Sequence, residues 1–588
     1  MARAEAAIEA VCERLARRGQ FIEERGVKTW PDGTVSAHFG FHHTLYQEIL
    51  YARIPEARRV RLHKAIGEWL ASRYGERASE IAAELAVHFE RGWDKDRAAV
   101  CLQQAGENAL RRYAYPEALE HFQKAAEFLQ TLPQTADRAR RELVLQFLLI
   151  QALVAVKGHA SVEVAHAYRY ARTLCEKVGT TQQLFFVLLG LVRLYHGHCE
   201  YQQARDLSMQ CLALARREHD PAFFFPAYYL LGASELYLGN FAVAENYLTQ
   251  GIQSYDTRHD ATYVALYGNA SPYISCHGYA AVALWFLGYP DQALQGTAEM
   301  LRIAKEHASP LTLTGARVFA PLVYHCCRQG GHVQEQAEEG IAVATRMGFP
   351  FWRAISLFWR GWGLAEQGHY EEGIKQMRQG LTAQRETGSS VHRVHFTVLL
   401  AEAHGRAGQC EEGLHLLDEA ETQMEKTDER FYEAELYRLR GKMMLQQFKV
   451  QGSKFQVEQS PRSKVQGQKS SKTKSQILNP KFQEGAEACF LKAIDVARRQ
   501  QAKSLELRAV MSLVRLRQQQ GLGPGVRTTQ RKTHTALTEA HQMLSEIYGR
   551  FTEGFGTKDL QEAKALLEKG AGRKGEVVTD EARASLAM

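Results

Sequence analysis

His196-Gly197-His198-Cys199 crowds three potential metal ligands into four residues. Zinc requires four converging ligands, usually supplied as two spaced pairs, and no second pair lies at motif distance, so the segment reads as a turn at a helix end. Vicinal Cys326-Cys327 sits inside an apolar helical run. Redox chemistry there would need exposure and a lowered thiol pKa, so both cysteines read as core. His38, His42 and His43 flank an aromatic hairpin. No Ser, His and Asp set, paired-carboxylate arrangement or glycine-rich phosphate loop falls in a strand-to-helix context suited to catalysis. The nearest approach to a P-loop, Arg440-Gly441-Lys442-Met443, lacks both the first glycine and the hydroxyl. Glu371-Glu372 and Glu411-Glu412 start second helices, where a helix N-terminus favours negative charge. These residues argue against an enzyme, and no cofactor or metal is expected.

Recognition is the remaining chemistry. Tyr229, Trp285, His325, Phe358 and Trp362 border the small residues of successive helical hairpins, and four of the seven tryptophans lie between Trp285 and Trp362. Helical solenoids display the first helix of each hairpin along a concave face. Large aromatics on such a wall anchor a peptide or a small apolar inducer. The alternative is that the rings fill gaps between stacked repeats, the commoner fate of Trp and Phe.

The elements that carry these residues follow a ruler. In Pro226 to Ser254, apolar residues recur at helical spacing, Gly239-Asn240 breaks the pattern, and a second helical run begins at Phe241. Gly232, Ala244 and Gly251 stand at offsets of 12 and 7, the tetratricopeptide signature, where two helices must approach closely. The triplet recurs with a period of 40 residues, longer than the usual repeat. Its first position falls at Val192, Gly232, Ala281, Pro321, Gly361, Ala401 and Gly441, and earlier at Gly106 and Ala152. One hairpin cannot bury its own apolar faces, so stacked neighbours must supply the partner surface. The fold expected is an all-α, tetratricopeptide-like helical-hairpin solenoid of about nine to ten hairpins over residues 96–550.

At 588 residues the chain exceeds a single compact core, and the period selects an array. No run of 18 apolar residues and no signal peptide is present, so a cytoplasmic location without membrane partners is expected. Ten cysteines without a C-x-x-C fit a reducing compartment. The net charge of +7 is concentrated in residues 449–481, which hold eight basic residues and the single acid Glu458. No basic excess remains elsewhere as a footprint for nucleic acid. This Ser-, Gln- and Lys-rich stretch is expected as a disordered insertion within one hairpin, since loop closure costs grow only logarithmically with length.

Residues 1–52 differ in kind. A helical run from Glu5 to Arg18, an extended segment from Gln20, a Pro31-Asp32-Gly33 turn and His38-Phe39-Gly40-Phe41 give the order helix, hairpin, helix. That order suits a partial winged helix. Residues 53–95 read as a helical connector. A second loop is expected at Gly521-Leu522-Gly523-Pro524-Gly525, a capping helix over 551–569 and a mobile tail over 570–588.

Phe41-His42-His43-Thr44-Leu45-Tyr46-Gln47-Glu48-Ile49-Leu50-Tyr51, Arg58-Arg59 with Leu62-His63 and Ile66, Leu85 to Glu90, and Ala105-Gly106-Glu107-Asn108-Ala109 carry a resemblance. They resemble the region that follows the ATPase domain in bacterial STAND-type signalling ATPases, some of which are fused to class III adenylate or guanylate cyclase domains. The likeness covers nearly all of residues 5–567. It implies a packing role for at least His43, and a non-catalytic arm that receives an inducer or protein partner and biases a nucleotide domain between two states. The family's ATP-binding and cyclase residues match no position here. Such an ATPase would then act in trans, or be encoded upstream if the chain is a fragment. Transcriptional regulation through the winged helix is the remaining expectation.

Overall fold

The computed structural model describes residues 2–266, 271–307, 309–458, 480–520 and 527–569. The expectations for the Gly521 to Gly525 loop, for the 570–588 tail and for most of the basic insertion lie outside the described residues. The fold is an all-α helical repeat, with a single two-stranded sheet among the described residues. Among them no helix is long and apolar enough to cross a membrane.

The chain divides into two compact units, one of residues 1–153 with 173–180, the other of 154–172 with 181–588. The step from Gly106 to Ala152, near the edge of the first unit, spans 46 residues rather than 40, and the step from Gly232 to Ala281, inside the second, spans 49.

In the first unit, helix Ala2–Arg17 leads into β1 (Ile22–Thr29), which pairs antiparallel with β2 (Val35–Phe41) across a bulge between Glu24 and Val27. The Pro-Asp-Gly turn forms as its residues dictate: Asp32 accepts the Thr34 N–H at 2.9 Å and Gly33 takes a φ of +83°. Trp30 packs edge-on against Trp69 at 4.8 Å, beside a small core of Leu70, Leu85, Phe89 and Ala98. His43 is an N-cap, its Nδ1 accepting the Leu45 N–H at 3.1 Å at the start of helix Thr44–Ala52.

The second unit stacks eight described hairpins. Their first helices are Thr181–Gly197, Pro221–Tyr237, Pro272–Phe286, Pro310–Cys326, Pro350–Glu366, Arg393–Arg406, Glu433–Glu458 and Lys503–Gln520. Proline at the first turn starts several of them, where the missing N–H costs nothing. The small-residue ruler lands on the helix crossings: Ala204, Cys211, Ala244, Ala293, Val333 and Ala493 are completely buried. A Cβ at Gly361 would stand 2.6 Å from the Gly373 carbonyl oxygen, and one at Gly232 would meet Leu248 at the same distance. At Gly361 the facing atoms are backbone, and at Gly232 they are the Leu248 side chain with the Ala244 carbonyl oxygen behind it at 3.1 Å.

The hairpins also meet across a winding turn, five repeats apart. Ser390, just before the sixth hairpin, donates its N–H to the Gly197 carbonyl at the end of the first hairpin's leading helix, at 2.8 Å. Arg430, before the seventh, donates to Tyr237 of the second at 2.7 Å, and the Ser504 hydroxyl of the eighth donates to Trp285 of the third at 2.5 Å. Beyond the eighth hairpin, Glu553 accepts the N–H groups of Asp291 and Gln292 at 2.9 and 3.0 Å, and a helix over 558–569 follows. The seam supplies donors to carbonyls at the ends of leading helices, where partners within the helix run out; Trp285 also accepts the Gly288 N–H at 3.1 Å. Helix Lys503–Gln520 is buried nearly continuously from Ser504 to Leu516.

Between a first and second helix, a left-handed residue makes the turn. Gly239, Gly288, Gly368 and Gly408 fill it with φ between +80° and +95°, but Cys199 and Arg328 hold it at +62° and +57°. Both exceptions use their side chains on the seam: the Cys199 thiol donates to the Ser390 carbonyl at 2.8 Å, and Arg328 pairs with Asp559 and Glu562.

The expected disordered insertion is helical at both described ends. Helix Glu433–Glu458 runs through residues 449–458, and helix Pro480–Arg499 opens at Pro480. Extending an existing helix needs no new nucleus, and no proline intervenes before Pro461.

Candidate functional site

The five aromatic positions expected on a concave wall lie on or beside leading helices and are little exposed. Tyr229, Trp285, His325, Phe358 and Trp362 are all buried, none more than 7% exposed. The seam contributes to this burial, since hairpins five apart bond to each other through the ends of their leading helices. Phe358 is spent on packing, stacked on Phe396 at 3.9 Å. Trp285 lies under the Arg508 guanidinium at 4.9 Å. The other three line two separate cavities.

Tyr229 lines an aromatic cavity of about 110 Å³. Tyr279, Phe319, Phe351 and Trp352 supply its apolar body, and Ser271, Ser275, Thr312 and Ser389 supply hydroxyls. Arg193 is the one cation among its described lining residues, and no carboxylate lines it. His159, His196 and His392 complete it, all held neutral because burial disfavours the imidazolium; His196 and His392 are pushed down to about 3. His392 carries a φ of +61° and bonds the Tyr237 hydroxyl at 3.2 Å, so the cavity wall contains both strain and a seam residue. Apolar body with a few convergent polar groups is the pattern of a small-molecule site.

His325 and Trp362 line a second cavity of about 100 Å³ whose wall is mostly charged. Six cations, Arg328, Arg406, Arg438, Lys442, Arg508 and Arg515, face four carboxylates, Glu402, Glu435, Asp559 and Glu562. Arg508 donates to the Cys326 carbonyl at 2.6 Å and pairs with Asp559 at 2.7 Å. Arg438 grips Glu435 through two bonds of 2.7 and 2.5 Å. Burial pushes the Glu435 carboxyl up, but the Arg438 and Arg508 guanidiniums outweigh it and hold it low.

A histidine chain connects the two cavities. His392 packs edge-on to His395 at 6.2 Å, and His395 Nε2 lies 3.1 Å from His325 Nε2. His325 Nδ1 faces the Pro321 carbonyl at 3.1 Å, which fixes that nitrogen as the donor and leaves Nε2 to accept from His395. Burial pushes His325 down to about 4. Beside the chain, Glu429 is completely buried and accepts the N–H groups of His395 and Val394 at 3.1 and 3.4 Å. Burial raises its carboxyl to about 7, against the pull of those two bonds.

The other sequence candidates do not converge. His196 bonds Ser234 at 2.8 Å, His198 reaches the Ala160 carbonyl at 3.0 Å, and Cys199 turns to Ser390. Among the described residues no group of three potential ligands could hold a metal ion. Cys326 and Cys327 are buried, and burial pushes the Cys327 thiol up to about 12, well away from a reactive thiolate. Sequence reasoning missed the charged cavity. Its signal was the helical spacing of charges on leading helices, as in Glu435, Arg438 and Lys442, where apolar residues would be expected.

No family model matches the chain. A curated relative, an uncharacterised protein of Rhizobium meliloti (strain 1021), is 21% identical over 413 residues, which is 68% of this chain and 39% of the relative. Among solved structures, the chain is similar to a signal transduction ATPase with numerous domains (STAND) carrying a tetratricopeptide repeat sensor from Pyrococcus horikoshii, at 12% identity and a TM-score of 0.33, over 73% of this chain and 53% of that one. It is also similar to a Rap protein complexed with competence and sporulation factor (11% identity, TM-score 0.39, 59% of this chain and 99% of that one). A third likeness is to the APC/C hetero-tetramer Cut9-Hcn1 (11% identity, TM-score 0.43, 90% and 94%). The chain therefore spans about two fifths of its curated relative and about half of the STAND protein.

Proposed function

We propose that this helical repeat protein is a non-catalytic sensing and interaction arm of a STAND-type signalling ATPase, taking a small organic inducer into the aromatic cavity. The observation that carries the reading is the position of that cavity against the seam. Ser389, Val391 and His392, just before the sixth hairpin, and His196 and Gly197 of the first all line it. A guest touching both sides of the seam favours the wound state over an unwound one, and differential affinity of this kind is what a sensor needs. Partners on the outer surface would read the winding. The cavity admits a small molecule, and the interaction role belongs to the exterior.

A screen of small aromatic and hydroxylated organic molecules by thermal shift tests this. Gly315→Trp supplies the control, because Gly315 borders the cavity and a Cβ there meets only Trp352, at 3.8 Å. The expected result is a compound class that raises the melting temperature of the wild type and not of the filled variant. A rise produced by ATP alone, with no organic guest distinguishing the two proteins, would overturn the reading.

A further inference from the structure

We propose that the charged cavity is a binding site for a phosphate group, with Lys442 as its uncommitted cation. The partner assignment of the wall leads there. Arg508 is taken by Asp559 and Glu435, Arg438 by Glu435, and Arg328 and Arg515 by Glu562. Arg406 is taken by Glu402 and by Glu366, which reaches it from outside the lining. Lys442 makes neither a hydrogen bond nor an ion pair among the described residues, although it lines the cavity.

A lysine so placed is in a costly position. Its ammonium is largely removed from water, and burial, with the Arg438 and Arg406 guanidiniums, lowers its pKa against the pull of Glu402 and Glu435, neither of which it bonds. Charges in such a setting persist when an opposite charge completes the site. The remaining donors suit a tetrahedral oxyanion. Arg515 lines the cavity, bonds Glu562 through Nη2 alone at 2.6 Å, and keeps a side chain that is 43% exposed, so its other nitrogens can turn to an anion. The Lys442 ammonium supplies three rotatable donors. Phosphate recognition by a lysine point charge and an arginine fork is a recurring arrangement.

The cavity is also placed to have an effect. Asp559 and Glu562 come from the helix over 558–569, whereas Glu402, Glu435 and Lys442 come from the sixth and seventh hairpins. An anion held by Lys442 and Arg515 relieves repulsion among cations that also hold this last helix in place. This site is distinct from the aromatic cavity, and the inducer reading can fail without touching it.

The experiment measures thermal melting of the full chain at pH 7.5 in about 10 mM inorganic phosphate, against chloride of equal ionic strength. Glycerol phosphate forms a second arm, and Lys442→Met and Lys442→Gln are the variants. The wild type is expected to gain several degrees in phosphate. Both variants should lose that gain, and Lys442→Met should melt higher than the wild type in chloride because a repelled cation has been removed. A gain with both probes assigns free phosphate as sufficient; a gain with glycerol phosphate alone assigns the phosphoryl group of a small ester. Should the variants fold poorly, amide exchange of residues 503–516 in the wild type, with and without phosphate, gives the same answer. An unchanged wild type, a phosphate response preserved in Lys442→Met, or unaltered exchange overturns the proposal.

Discussion

Glu429 Oε1 accepts the backbone N–H of His395 at 3.1 Å in a position sealed from solvent, one hairpin further along the stack. Neither residue can hold a charge there cheaply, and the two titrate in opposite directions.

Glu429 has a raised carboxyl, at about 7 against an ordinary 4.5. In that window the fold keeps a proton that the unfolded chain releases, so stability falls as pH climbs from 4.5 to about 7 and then levels. Glu429→Gln retains an oxygen for His395. It is expected to remove this limb, with a slope change of about 1.4 kcal/mol per pH unit, and to exceed the wild type in stability at pH 8. Urea denaturation across pH checks it; a less stable variant at pH 8 would contradict it.

The histidines give the acid limb. His196, His325 and His392 are held at about 3, 4 and 3, and His395 well below 6.5. Their folded values lie below the unfolded one, so stability is complete above 6.5 and is lost as pH drops through the window beneath it. His395 Nδ1 already lacks a partner in the fold. His395→Phe should therefore flatten the acid limb by about 1.4 kcal/mol per pH unit, read from the same denaturation series.

Gly361→Ala forces a methyl group to within 2.6 Å of the Gly373 carbonyl oxygen, where backbone must move. A loss of about 1–3 kcal/mol is expected by chemical denaturation. Gly331→Ala, in an exposed helical turn with nothing within 4 Å, should gain about 0.5 kcal/mol instead. Equal effects at the two sites would contradict the close-approach argument.

Arg508→Leu leaves Asp559 without its 2.7 Å partner and removes a bond to the Cys326 carbonyl. The expected cost is about 3–5 kcal/mol. Adding Asp559→Asn should restore part of it, and a double-mutant cycle reads the coupling.

The stack of hairpins was legible because it depends on local facts. Gly232, Ala244 and Gly251 must be small where helices touch, and that demand repeats every 40 residues. The seam was not legible. Which hairpin Ser390 meets depends on a small rotation summed over five repeats, and no single residue encodes it. The burial of the aromatic positions was not legible for the same reason. Tyr229 and Trp362 each line a cavity whose other residues come from hairpins far apart in sequence. Lys442 drew attention only as part of a failed P-loop match, since one lysine in a sequence does not announce its surroundings.

Gly197 and Ser390 are bonded, yet 193 positions separate them along the chain. A polypeptide leaving the ribosome at about 5–20 residues per second cannot join them for about 10–40 s after the earlier one emerges. During that interval the contacts between hairpins five apart cannot form, so the final packing of the first hairpin's leading helix waits on synthesis of the sixth.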